Sequence, residues 1–263
     1  MVLRTASTLP RVFDSFPLSA STAWWCTAWL RGHAGLTDVT DHATRVTPVH
    51  STVAASPGPW APESTGLGQF LLEVKDAGAV AAACALPVPG DLHGLAGPAE
   101  LNRSATEHGE ALLLLGARPG QVVAAAVPVT VGAGTTWLVH RAAPRPPSDL
   151  GQADRELRLE LTESATRLAQ LDVASWSPDT VDGLLNLDRG PVVPAPVGTP
   201  ERAVALARRS VLLLDIVELA EADGTGGAVS ATEAFARQEA LDVLARAARH
   251  ALVAACSADA WPL

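Results

Sequence analysis

An α+β fold is predicted: a small mixed β-sheet with covering helices in the N-terminal half, and a C-terminal half made of three long helices plus one short one. Three observations carry that prediction. The string Ala143-Pro144-Arg145-Pro146-Pro147 divides the 263-residue chain and reads as an extended connector, because proline removes a backbone donor and fixes φ. Before it, strand-like and helix-like patterns are mixed; after it, every periodic segment has helical spacing. The two parts, residues 1–143 and 148–263, are expected to pack as one compact unit.

In the first part, Ser21 is placed to cap a helix whose Trp24, Trp25, Ala28 and Trp29 share a face. A second short helix is expected from Thr37 to Thr44. Ser56 to Pro62, with three prolines and a glycine, reads as loop. Leu67 to Asp76 reads as a helix with Phe70, Leu71 and Val74 inward, ended by Gly78. Val80 to Pro87 reads as a buried strand, and Pro98 to Glu107 as a helix. Three strands follow, Ala111–Leu115, Val122–Val131 and Thr135–His140, joined by hairpin-like connections at Arg118-Pro119-Gly120 and Gly132-Ala133-Gly134.

In the second part, Ser148 is the expected cap of a long helix whose Leu150, Leu157, Leu161, Leu168 and Leu171 form a stripe. Pro178 opens a short helix through Leu187. A second proline seam, Pro191 to Pro196, precedes Thr199-Pro200-Glu201, a helix start that places proline at the first position. That helix should run to Gly224, with Leu206, Leu213, Val217 and Ala220 in register. Ser230-Ala231-Thr232-Glu233 has the form of a capping box, and the last helix carries Leu241, Leu244, Ala248 and Leu252 to about Cys256.

Composition narrows the function classes. Apolar residues make up 48% and charged residues 18%, which excludes wholesale disorder. Lys plus Arg number 19 against 28 Asp plus Glu, a net charge of -9, so no nucleic-acid partner is expected. No run of apolar residues reaches the ~18 needed to cross a bilayer, so no membrane span is expected. Pro10, Asp14 and Pro17 interrupt the N-terminal region where a signal peptide would need a clean apolar run. Cys26, Cys84 and Cys256 are far apart and form no C-x-x-C pair, which reads as three buried reduced thiols. A cytoplasmic location follows.

Several motifs bear on chemistry. Gly90-Asp91-Leu92-His93-Gly94, following a strand, has the form of the first metal-binding segment of metallophosphoesterases. The further ligand segments are missing: the next strand ends Leu115-Gly116-Ala117-Arg118, and the chain holds no Asn-His pair. The plainer reading of Pro89-Gly90-Asp91 is a turn. Glu107-His108-Gly109-Glu110 reads as a helix C-terminus, with Gly109 in the left-handed region. His33, His42 and His50, with Asp38 and Asp41, match no zinc module. No G-x-S-x-G elbow and no P-loop occurs, and Gly224 to Gly227 joins helix to helix. No metal and no cofactor are expected.

The strings Ala85-Leu86-Pro87-Val88-Pro89-Gly90-Asp91, Gly94-Leu95-Ala96-Gly97-Pro98, Leu171-Asp172-Val173-Ala174 and Gly198-Thr199-Pro200-Glu201-Arg202 occur with a closing run from Arg246 to Cys256. Together they resemble a family of hypothetical proteins from actinobacteria, over about Trp24 to Cys256. The resemblance agrees with the Arg-rich, Lys-poor composition of a GC-rich genome and with the cytoplasmic expectation, and transfers no activity, cofactor or site residue.

Two expectations about function follow. The first is a non-enzymatic interaction or regulatory protein that self-associates, because the Ala-rich stripes at 203–220 and 244–255 let helices approach closely. The second is a small-molecule, in particular anion, binding protein or an enzyme of unfamiliar type. Its site is expected around residues 87–103, at Asp91, His93, Asn102 and Arg103, where a kinked Gly/Pro loop follows a strand and a helix opens at Pro98.

Overall fold

The computed structural model describes residues 16–58, 65–170, 193, 195–222 and 231–261. The N-terminal half contains α1 (Leu18–Leu30), α2 (Leu36–Val46), β1 (His50–Ala54), β2 (Thr65–Gly66), α3 (Leu67–Asp76), β3 (Ala79–Ala85), α4 (Ala99–His108), β4 (Ala111–Gly116), β5 (Val122–Val131) and β6 (Gly134–His140). The C-terminal half contains α5 (Leu150–Gln170), α6 (Glu201–Ala222), α7 (Ala231–Ala255) and a 3-10 turn at Ala258–Ala260. The short helix expected from Pro178 to Leu187, residue Leu171 and the Ser230 cap lie outside the described residues. No helix among the described residues is long and apolar enough to cross a membrane.

Six strands form one mixed sheet in the order β2-β1-β6-β5-β4-β3, parallel at β1–β6 and antiparallel elsewhere. This is the α+β arrangement expected from the pattern change at the first proline seam. β1 escaped the sequence pattern because His50-Ser51-Thr52-Val53-Ala54 is polar and only Thr52 is fully buried. The strand's period of two splits the core into two layers. Ala82, Cys84, Leu112 and Leu114 face α1 and the C-terminal helices, while Ala83, Ala85, Leu113 and Leu115 face α4.

α1 lies against β3 and is buried around most of its circumference and not on a stripe, the small hydroxyl residues Ser19, Ser21, Thr22 and Thr27 included. It also closes the sheet edge. The Thr27 hydroxyl accepts the Ala82 N–H at 3.0 Å and donates to the Ala82 carbonyl at 3.2 Å, pairing two groups that an edge strand would leave open. Ser21 does not cap this helix. α1 begins three residues earlier, and Ser21 Oγ donates back to the Leu18 carbonyl. The cap comes from far along the chain: Glu110 Oε2 accepts the Ser19 N–H at 2.7 Å. Burial raises the Glu110 pKa against the opposing effect of that hydrogen bond. Gly109 ends α4 at φ 80°, as its position in Glu107-His108-Gly109-Glu110 suggested.

In the C-terminal half, α7 packs against both α5 and α6. Leu206, Leu213, Val217 and Ala220 of α6 and Leu241, Leu244, Ala248 and Leu252 of α7 are buried, as their register predicted. α5 is turned a little from its leucine stripe. Ala153, Leu157 and Ser164 are buried, and Leu150, Leu161 and Leu168 are only partly so. The small residues take the closest approach, where Ser164 Oγ donates to the Ala240 carbonyl. α5 is capped by Asp149, whose Oδ1 accepts the Gln152 N–H at 2.8 Å, not by Ser148.

Two links lock the halves together. The Trp24 indole N–H donates to the Ala255 carbonyl at 2.9 Å. The proline seam is itself docked: the Ala143 N–H reaches Gly97 O and the Arg145 N–H reaches Gly120 O. Gly120 sits at φ +72°, and a side chain there would meet the Arg145 carbonyl at 2.4 Å, so both conformation and space demand glycine. The Arg145 guanidinium is buried and pairs with Asp259 while also donating to Ser148 Oγ and Pro146 O.

Candidate functional site

Val88-Pro89-Gly90-Asp91 forms a tight reversal after β3. Val88 N–H donates to Asp91 O at 3.0 Å and Asp91 N–H to Val88 O at 2.9 Å. Gly90 adopts φ 85°, so proline followed by a positive-φ glycine supplies the two central residues that a type II turn requires. The turn read from Pro89-Gly90-Asp91 is therefore present, and it also aims a carboxylate. Asp91 Oδ1 accepts the His93 N–H at 3.2 Å, which holds the side chain over the loop. Gly94, at φ +88°, lets the loop pass between Ala85 and Val253, where a Cβ would sit 3.2 Å and 3.4 Å from their side chains.

Asp91 meets two residues that the motif did not announce. His250 Nε2 donates to both Asp91 oxygens, at 2.9 Å and 3.1 Å, and Arg249 Nη2 lies 3.5 Å from Oδ2. A carboxylate only accepts, so the Nε2 of His250 carries a proton. His93 stacks on His250 with ring centroids 3.8 Å apart and planes at 17°. The cluster is half-sheltered: side-chain exposure is 15% for Asp91, 20% for Arg249 and 26% for His250.

The electrostatics follow from these contacts. Burial alone raises the Asp91 pKa, but the His250 hydrogen bond and charge, the His93 N–H and Arg249 together outweigh it, and the net shift is downward. The His93 pKa is lowered, first by burial and then by the His250 and Arg145 charges, against Asp91 and Glu156. The stacked geometry is a poor metal cradle. Imidazole lone pairs lie in the ring planes, and two nearly parallel planes cannot converge on one ion at the ~2.0–2.1 Å that zinc–nitrogen bonds need. No group of three or more His, Cys, Asp or Glu with metal-holding geometry occurs among the described residues.

Beside Asp91 a cleft of about 550 Å³ opens between the Val88–Asp91 turn, α6 and α7. Val88, Leu214, Val217 and Ala245 give it an apolar floor. Glu218, Glu221, Asp242, Arg246 and Arg249 give it a charged rim. The two helices contribute at intervals of three and four residues, one face of each.

The four residues expected at 87–103 separate in space. Asp91 lines the cleft, and His93 lies against Asp91 and His250 beside it. α4 covers the opposite face of the sheet through Leu101 and Ala105. Arg103 on α4 is exposed; Asn102 donates its N–H to Pro98 O, and its Oδ1 is buried without a hydrogen-bond partner. No contact joins Asn102 or Arg103 to Asp91 or His93 among the described residues. Arg249 and His250 were legible only as polar positions beside the inward stripe of α7, and nothing local links them to a loop about 160 residues earlier.

The other histidines have separate settings. His50 is fully bonded: Nδ1 accepts the Trp137 indole N–H at 2.9 Å, and Nε2–H donates to the Ala43 and Thr47 carbonyls. Its pKa is lowered by burial, opposed by those carbonyls. His42 stacks on Trp25 at 5.1 Å, with both ring nitrogens buried and unbonded; burial, then Arg45, lower its pKa to about 4. Asp38 Oδ2 accepts the Gly35 N–H at the start of α2. The three cysteines are free and buried, and burial pushes Cys26 up to about 12.

Comparison with known families places this geometry. The N-terminal domain of Rv1486c-like proteins matches residues 19–150, and the C-terminal domain matches residues 151–253. No curated protein and no solved structure matches. Asp91 and His93 fall in the first matched stretch and Arg249 and His250 in the second, so the cluster bridges the two domains. The family descriptions name no activity, and the chemistry of the cluster rests on its geometry. Matched by both domains in succession, the chain belongs to the Rv1486c-like protein family.

Proposed function

We propose that this chain is a non-enzymatic, small-molecule-binding regulatory protein of the actinobacterial cytoplasm, with its site in the cleft beside Asp91. One observation carries the reading: a cleft of about 550 Å³ is walled by both domains and headed by an ionic cluster that joins them. Such a volume suits a small ligand, and apolar floors with a few converging polar groups are the common form of such sites. A ligand touching the Val88–Asp91 turn, α6 and α7 together would change how firmly the domains hold each other. Reduced, buried cysteines suit the cytoplasm.

The test is a thermal-shift screen of amines, carboxylates and phosphates on wild type and Asp91→Asn. A ligand at about 100 times its Kd should add about 2.7 kcal/mol of stability to wild type. The variant should respond less, because Asp91 holds Arg249 and the Val88–Asp91 turn at the cleft wall. Equal shifts in both proteins would place binding elsewhere.

Self-association is a second reading, with a separate observation behind it. Val49 and Val131 flank Gly134 at one end of the sheet, and both are exposed, as is Val46 at the end of α2. The Ala-rich faces of α6 and α7 are used within the chain, so a homodimer would use this valine patch. Light scattering on wild type and Val49→Glu tests it: a dimer converted to monomer supports the patch, and a wild-type monomer at high concentration removes it.

A further inference from the structure

The charges of the cleft are sorted along its length. α6 and α7 are antiparallel, since Gln238 near the start of α7 meets Glu221 near the end of α6. At that end the Gln238 side-chain nitrogen donates to Glu221 Oε1 at 3.0 Å and to Asp242 Oδ1 at 2.9 Å. Two carboxylate oxygens that share one donor lie within ~6 Å of each other, twice an N–H···O distance. The bridging amide is neutral, so the two negative charges are held close without a counter-charge between them. Glu218, nearly one turn before Glu221, adds a third carboxylate to the same rim.

None of these three carboxylates makes an ion pair among the described residues. Arg237, on the same helix as Asp242, is buried and donates to the Ala220 carbonyl. Further along α7 the sign reverses. Arg246 is exposed and makes no ion pair among the described residues, and Arg249 is shared with Asp91. At 1.5 Å per residue, Asp242 and Arg246 are ~6 Å apart along the helix, and Asp242 and Arg249 ~10 Å. Between the two ends lies the apolar floor of Leu214, Val217 and Ala245.

From the amide-bridged carboxylates at one end of this cleft and the unpaired Arg246 at the other, we propose that it binds a small zwitterion: an ammonium or guanidinium group on a short apolar body ending in a carboxylate or phosphate. The cation lies against the oxygens of Glu221 and Asp242 that Gln238 does not bond, the body lies on Leu214 and Val217, and the anionic end meets Arg246. This inference rests on the cleft being the ligand site and adds the charge pattern of the ligand. It departs from the plain anion expected from the sequence, because carboxylates outnumber guanidiniums on this rim.

The test uses three probes of one chain length, 6-aminohexanoate, hexylamine and hexanoate, measured by calorimetry and two-dimensional NMR on the whole chain. 6-Aminohexanoate should bind most tightly, hexylamine less so and hexanoate least. Glu221→Gln with Asp242→Asn should weaken both amines by roughly tenfold, the scale of one lost charge contact. Arg246→Gln should weaken 6-aminohexanoate and leave hexylamine unchanged. These positions are exposed, and unchanged melting of the variants without ligand establishes that they fold. If hexanoate binds best and shifts cleft resonances, the charge pattern is wrong and the cleft survives as a site. If no probe and no member of the wider screen moves cleft resonances, both the pattern and the site fall.

Discussion

Two ionic links cross from the N-terminal half to the C-terminal half, and they differ in almost everything but charge. Arg145 and Asp259 form the closed one. The guanidinium is 3% exposed, and it is also bonded to Ser148 and to a carbonyl. Asp259 additionally accepts the Ser148 N–H. The Asp91 cluster is the open one, with two cationic or ionisable partners, a second stacked imidazole, and a cleft beside it. The contrast teaches how to separate a structural ion pair from a candidate site. A pair whose guanidinium is buried and held by several further hydrogen bonds fixes geometry, even where its carboxylate, 25% exposed at Asp259, still meets water. A pair that keeps partial exposure next to unfilled volume is available to a ligand.

The largest expected effect is on the closed link. Arg145→Met keeps much of the side-chain volume but leaves Asp259 without its cation. Stability should fall by about 1–3 kcal/mol, because the hydrogen bonds of the buried guanidinium to Ser148 and Pro146 are lost, while the 25%-exposed Asp259 is left to water. Urea denaturation at neutral pH reads this directly. A midpoint equal to wild type would show that the seam is not fastened there.

The pH profile separates the regions next. His42 is held neutral in the folded chain, with its pKa near 4 against 6.5 unfolded. Between those values the unfolded chain binds more protons, so the stability His42 contributes is present above 6.5 and is lost as pH falls toward 4. Replacing it with Phe, which keeps the stack on Trp25, should flatten the stability curve across that window. The Asp91 pKa is lowered instead, so its contribution is present above 3.8 and is lost only at lower pH. Asp91→Asn should therefore act on the curve chiefly below 3.8, and within the 6.5-to-4 window only through His93, whose pKa Asp91 raises. An identical limb in the His42 variant and wild type would mean that His42 is not held neutral.

The smallest effect on stability is expected at the open link. Asp91→Asn should cost at most ~1 kcal/mol, as partly exposed ion pairs do. Its effect should fall on ligand response. A loss as large as that of Arg145→Met would make both links structural and erase the distinction between them.

Most of the secondary structure was legible because its signals are local. The strands β3 to β6 follow apolar runs, the last three joined by glycine-containing turns, and α6 and α7 follow their leucine register. What escaped was set by distant partners. β1 is polar and exists through its parallel pairing with β6. The cap of α1 is Glu110, 91 residues from Ser19, so Ser21 drew attention as the nearer hydroxyl. The site was half legible for the same reason. Gly90-Asp91-Leu92-His93-Gly94 is conspicuous as a string, but its partners Arg249 and His250 lie on a helix brought alongside only by the packing of the halves. Asn102 and Arg103 were near in sequence, yet the strand-to-helix crossover carries them to the opposite face of the sheet.

Hydrogen exchange with and without 6-aminohexanoate tests the central claim, that the cleft beside Asp91 is a ligand site spanning both domains. The account predicts slower exchange in three separate stretches together: the turn at 88–94, the α6 face at 214–221 and the α7 face at 242–250. Protection confined to one stretch, appearing around α4 instead, or persisting unchanged in the Glu221→Gln/Asp242→Asn double variant would contradict it.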